Sequence, residues 1–197
     1  MAGQPERRAA EVHQVNEESS GVLQAVVREL EAHAADSGWD QPERLFALVD
    51  TAELVSREPQ LAEALGIEAL GVEGEPRGLT PVEQEALPPG SSLEQVLAEI
   101  VWPAEVAGCA AIAERLVLPP EADAQLPDDP HEAQEFAAGH PGRQEVRIVA
   151  AALRGGGSAC ALRLRSHDDP DSVLTSPDLV PGLLMLLHAT LDLEETG

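Results

Sequence analysis

Lysine and tyrosine are absent from this chain of 197 residues, and aromatic side chains make up only 2% of it. A core must therefore be built from Leu, Val and Ala, for which a hydrophobic content of 43% is enough. Positive charge is scarce. Twelve arginines face 36 acidic residues, for a formal net charge of −24. Phosphate backbones would be repelled by such a chain, which excludes ordinary nucleic-acid binding, and anionic membrane surfaces are disfavoured for the same reason. The acidity favours solubility and a protein partner with a basic surface.

Cysteine is equally scarce. Cys109 and Cys160 each lie in an apolar, strand-like stretch, as expected of buried thiols in a reducing cytoplasm. A disulfide between them would require neighbouring strands. Long apolar runs are missing too. The most apolar segment, Leu179 to Leu191, is too short to span a bilayer, and MAGQPERRAAEVHQ at the start lacks the apolar stretch of a signal peptide. A cytoplasmic protein without membrane insertion is expected.

What is present is a hairpin. Residues Val146–Leu153 form an apolar run interrupted only by Arg147, then come Gly155-Gly156-Gly157 and a second run from Ala159. Glycine reaches positive φ without a Cβ clash, so the triplet marks the turn. A three-residue loop over Gly155–Gly157 sets Ala152 opposite Cys160, Ala150 opposite Leu162 and Ile148 opposite Leu164, giving one clean apolar face. The other face carries Val149, Ala151, Ala159 and Ala161, with Arg147, Arg163 and Arg165 at its open end. In this register Arg147 faces Arg165. Like charges so placed demand carboxylates nearby, from this chain or from a ligand, and the three arginines are candidate ligand-binding residues.

Residues 1–17 read as a flexible polar tail, followed by one α+β domain over 18–197. Gly21–Ala35 has a helical stripe of Val22, Leu23, Val26, Val27, Leu30 and Ala34. Strands are expected at about 44–49, 106–118, 145–154 and 159–166, forming a mainly antiparallel sheet of about four strands under N- and C-terminal helices. Thr51 is expected to cap a short helix, and Pro59 to open another. Glycines and prolines interrupt a loop at about 66–90. Within it, Thr80-Pro81-Val82-Glu83 fits either a capped helical turn or a short strand. Helices follow at Ser92–Ile100, with Ser92 and Gln95 as a capping pair, at His131–Ala138, and at Pro181–Leu191. The last is apolar nearly all round, so full burial is expected, with His188 as a hydrogen-bonded core residue.

Chemistry-bearing motifs are thin. His131, Glu135 and His140 offer metal-ligand types, His131 and Glu135 at the i, i+4 spacing that shares a helix face. The second His of an HExxH motif is Glu here. Asp168, Asp169 and Asp171 could chelate calcium, but Pro170 breaks the loop pattern that an EF-hand needs. Ser91, Ser92 and Ser158 lie outside any Gly-x-Ser-x-Gly, and the glycine triplet is followed by a strand rather than by the helix of a phosphate loop. No cofactor is indicated.

Four stretches, WDQPERLFALVDTAEL, VWPAEVAGCAAIAERLVLPP, HPGRQEVRIVAAALR and SPDLVPGLLMLLHATL, resemble an actinobacterial family of conserved proteins of unknown function, over about residues 39–191. The resemblance implies a cytoplasmic bacterial protein and brings no catalytic residues. The order helix, four strands, helix is similar to small secretion-chaperone-like α+β folds, an analogy of topology only. The function expected is that of a non-enzymatic cytoplasmic binding or adaptor protein, chaperone-like in kind. The alternative is an enzyme whose site is assembled from distant residues, such as a metal-assisted hydrolase using His131, Glu135, His140 or Asp168.

Overall fold

The glycine-marked hairpin lies within a larger antiparallel sheet. The structure, a computed structural model, describes residues 4–64, 78–123 and 125–192. Its strands are β1 (Arg44–Asp50), β2 (Leu79–Glu83), β3 (Gly108–Val117), β4 (Gln144–Leu153), β5 (Ser158–Leu164) and β6 (Leu174–Ser176). They pair in the order β2-β1-β3-β4-β5-β6, every pair antiparallel. The fold is α+β as expected, but with six strands among the described residues rather than about four. Thr80–Glu83 takes the extended alternative and pairs with β1, while β6 is only three residues long and carries no periodicity to betray it.

Helices cover both faces. α1 (Gln4–Asp36) lies on one, its backbone helical from well before the expected start at Gly21. It buries Leu23, Val26, Val27, Leu30 and Ala34 against Phe46, Leu48, Ala110, Ile112, Val149, Ala151, Ala159 and Ala161. Alanine on the strands lets the helix approach closely. On the opposite face, α4 (Leu93–Glu99) and α7 (Pro181–Asp192) pack Leu93, Leu97, Leu184, Leu187 and Leu191 over Leu45, Ala47, Cys109, Ala111, Ala150, Ala152 and Cys160. α4 begins with the expected capping box: Ser92 Oγ accepts from the Gln95 amide, and the Gln95 side chain accepts from that of Ser92.

Four shorter helices complete the description: α2 (Thr51–Arg57), α3 (Pro59–Ala64), α5 (Pro120–Asp123) and α6 (Pro130–Gly139). The cap of α2 is Asp50, which accepts from the Glu53 amide, with Thr51 already inside the helix. Most of the Gly/Pro-rich loop, residues 65–77, lies outside the described residues. α7 is not buried all round. Met185 is 68% exposed and His188 is half-buried, so the helix lies across the sheet edge-on to solvent, and Thr190 is its buried polar residue.

The hairpin has a three-residue loop, one position earlier than expected. Leu153 N donates to Gly157 O, leaving Arg154–Gly156 as the loop. Gly155, Gly156 and Gly157 have φ of 81°, 108° and 98°, values that only glycine adopts without strain. The register is therefore shifted by two: Ile148 faces Leu162, Ala150 faces Cys160 and Arg147 faces Arg163. An even shift keeps every side chain on its predicted face. Cys109 and Cys160 share a face but are separated by β4, about 10 Å at normal strand spacing, too far for a disulfide.

Gly108 begins β3 against the closing end of β4. A Cβ there would stand 2.4 Å from the Ala152 carbonyl oxygen and 2.9 Å from Leu153 Cδ2. Gly108→Ala is expected to destabilise the fold by about 1–3 kcal/mol through overpacking against backbone, read as a lower denaturation midpoint at unchanged slope. An unaltered midpoint would show that the two strands separate there at no cost.

Candidate functional site

The arginines at the open end of the hairpin form the core of a charged cluster. Alternation on β4 and β5 turns Arg147 and Arg163 toward α1, where the ladder places them opposite each other. Arg147 is 1% exposed and Arg163 is also buried. Glu31 descends between them from the buried stripe of α1. Its carboxylate accepts from Arg163 Nε at 2.7 Å and Nη2 at 2.6 Å, a bidentate pair, and lies 3.7 Å from Arg147 Nη1. Glu114 of β3 accepts from Arg147 Nη2 at 3.1 Å.

Above this buried layer lies the turn that joins α1 to β1. Gly38 O accepts from Arg147 Nη2. The Trp39 ring covers the Arg147 guanidinium at 4.4 Å and borders that of Arg165 at 5.6 Å, in cation–π geometry. Its indole N–H donates to Asp168 at 3.0 Å, and Asp168 also accepts from Arg163 at 3.2 Å. Asp40 holds φ at 63°, a left-handed conformation that aspartate tolerates better than most residues. That geometry aims its amide at Glu114, 2.7 Å away, and its carboxylate at both Nη atoms of Arg165. Glu145 completes the set at 2.6 Å from Arg165.

These contacts fix the charge states. The Trp39 indole, and then the Arg163 guanidinium, hold the Asp168 carboxyl below its ordinary value. Hydrogen bonds from Arg165 do the same to Asp40. Arg163 and Arg165 are raised by their carboxylate partners, chiefly Glu31 for the first and Asp40 for the second. Three guanidinium groups thus meet five carboxylates, Glu31, Glu114, Asp168, Asp40 and Glu145. The surplus is negative, which disfavours a further anion among them. A cleft of about 340 Å³ opens beside the cluster, with Arg28, Glu31, Arg163 and Asp171 among its walls.

The metal-ligand candidates are arranged differently. His131 Nδ1 lies 3.8 Å from Glu135 on the outer face of α6, and both side chains are exposed. His140 ends that helix. Its Nδ1 accepts from the Gly142 amide, and its ring leans on Phe136 with centroids 5.7 Å apart. Asp168 belongs to the arginine cluster, and Asp169 caps a short 3-10 turn by accepting from the Asp171 amide. Among the described residues, no three His, Cys, Asp or Glu side chains are grouped to hold a metal ion. Both cysteines are buried, and burial pushes the Cys109 thiol up to about 11, so neither is poised as a thiolate nucleophile.

Sequence reasoning placed the three arginines together and missed the carboxylate between them. Glu31 stands four residues after Val27 on the apolar stripe, and a charge at such a position was the available signal. No helix among the described residues is long and apolar enough to cross a membrane. The family model described as PPA1309-like protein matches residues 23–192, beginning early enough to include Glu31 and Trp39. No curated protein and no solved structure matches the chain.

Proposed function

We propose that this chain, which belongs to the PPA1309-like protein family, is a non-enzymatic binding or adaptor protein, chaperone-like in kind, for a partner with a basic surface. We place it among actinobacterial proteins of the cytoplasm, where two buried thiols stay reduced. The observation that carries the reading is where the positive charge goes. Of the twelve arginines, Arg57, Arg115, Arg147, Arg163 and Arg165 are paired with this chain's own carboxylates. A sixth, Arg154, is spent on backbone carbonyls. Internal pairing of so many cations leaves the net excess of 24 negative charges unbalanced, and at the surface it attracts and orients basic partners.

The test is a titration of the full chain with an arginine-rich peptide and with a neutral peptide of equal length. Binding of the basic peptide alone is expected at low ionic strength, weakening as salt rises from about 50 to about 300 mM and the Debye length shrinks. Equal binding of both peptides, or of neither, overturns the reading. So does stoichiometric zinc or manganese in the purified protein, which would favour a metal-assisted hydrolase.

A further inference from the structure

We propose that an apolar groove at the far end of β3 docks a short basic–apolar segment of a partner protein. This deepens the reading of a basic partner and rests on it. The groove has a volume of about 360 Å³ and is lined by Leu116, Val117, Leu118, Pro120, Leu126 and Ala137, all apolar. Three of these large side chains are exposed: Leu116 by 39%, Val117 by 43% and Leu126 by 37%. A surface this polar rarely leaves neighbouring apolar side chains open to water without use for them.

The groove exists because β3 outruns its neighbour. The ladder with β1 ends at the pair Arg44 and Ile112, whereas the ladder with β4 continues to Val117. Residues 113–117 therefore have a strand on one side only. A strand end of this kind can accept main-chain hydrogen bonds from an added segment, while side-chain pockets provide selectivity. On the other side, α6 packs against the end of β3 and closes the groove with Ala137.

Local charge chooses the occupant. From Arg115 to Arg143 no arginine intervenes, while Glu121, Asp123, Asp128, Asp129, Glu132 and Glu135 do. Glu121, Asp128, Asp129, Glu132 and Glu135 are exposed side chains of α5, α6 and the segment between them. An apolar floor in an acidic surround suits a segment in which Leu or Val residues are flanked by Arg or Lys. A second acidic copy of this chain would be repelled.

The test compares three peptides on the wild-type chain and on the double variant Val117→Ser with Leu126→Ser, which leaves the charge unaltered. One peptide alternates Val or Leu with Arg, one alternates Ser with Arg, and one is apolar and neutral. The alternating apolar–basic peptide is expected to bind tightest and to lose about tenfold or more in the double variant. The Ser–Arg peptide should be indifferent to the substitutions. Amide exchange should slow at residues 116–118 when the first peptide binds, and the double variant's unliganded exchange elsewhere should match wild type. Equal affinity of wild type and variant for the apolar–basic peptide overturns the groove while leaving the basic-partner reading intact. Failure of both basic peptides to bind wild type defeats that reading and the groove with it. Sedimentation as a dimer that the double variant dissociates would assign the groove to a second copy and overturn the proposal. Protection of residues 116–118 in the free monomer, unaltered by peptide, would assign it to another part of this chain and overturn it as well.

Discussion

Glu31→Gln is expected to cost about 3–5 kcal/mol of stability, because it leaves Arg163 and Arg147 buried without their shared counter-charge. For a chain of this size, the midpoint of thermal unfolding should fall by roughly 10–15 °C. Glutamine keeps the shape and one acceptor oxygen, so the loss would report charge rather than packing. The double change Arg163→Ala with Arg165→Ala should also destabilise, since it strands Glu31, Asp168 and Asp40. A normal melting temperature in that double variant, joined to loss of a bound ligand or partner, would instead make the arginines a recognition site. Acid acts on the outer part of the cluster in a defined direction. Asp168 and Asp40 have folded values below their ordinary 3.8. Their contribution is complete above that value and is lost as pH falls through the lower folded one. Both side chains are well exposed, so the loss should be small beside that of Glu31→Gln.

Arg154→Ala is expected to have the second largest effect, about 2–4 kcal/mol, because one guanidinium donates to four backbone carbonyls at once. It donates to the carbonyls of Val106 at 3.3 Å, Trp102 at 3.1 Å and Pro103 at 3.0 Å, and to that of Leu191 in the last turn of α7. The Arg154 amide adds a bond to Ala107 O at 2.8 Å. The cation thus meets the negative end of the helix and ties it to the loop that precedes β3. Arg154→Lys should recover only part of the loss, since an ammonium lacks the planar fork. Amide exchange over residues 184–191 should rise more than exchange over residues 23–34 of α1. A melting temperature within about 1 °C of wild type would mean that water fills these acceptors equally well.

The fold was legible where side-chain pattern and backbone preference agreed. The stripe of α1, the capping pair at Ser92 and Gln95 and the glycine-marked hairpin all stand as expected. Register was not legible to the last step. Ala150, Ala151 and Ala152 face Cys160, Ala159 and Ser158, side chains too alike in size for a two-residue slip to alter the packing visibly. What distinguishes the observed register is that Arg147 faces Arg163 in place of Arg165, a juxtaposition of like charges in either alignment. It becomes favourable only with Glu31 between them, and that carboxylate comes from a helix whose depth over the sheet no local pattern specifies. β6 was missed because three residues carry no period, and Met185 was misplaced because an all-apolar helix does not say which side it leaves outside.

The span of the charged cluster along the chain has a consequence for how the molecule assembles. Glu31 and Arg163 are 132 positions apart, and Trp39 and Asp168 are 129 apart. Closing such loops precedes any reward from the contacts they bring, so these bonds belong to the late stages of folding. Until then the two arginines ride on strands that can still slide. A one-residue slip of the whole hairpin against β3 would turn both toward the leucine-rich face beneath α4 and α7. Burying two cations there without carboxylates is prohibitive, so the misaligned chain cannot close over its own core. The cluster in this way proofreads a sheet whose alanines would otherwise accept several alignments.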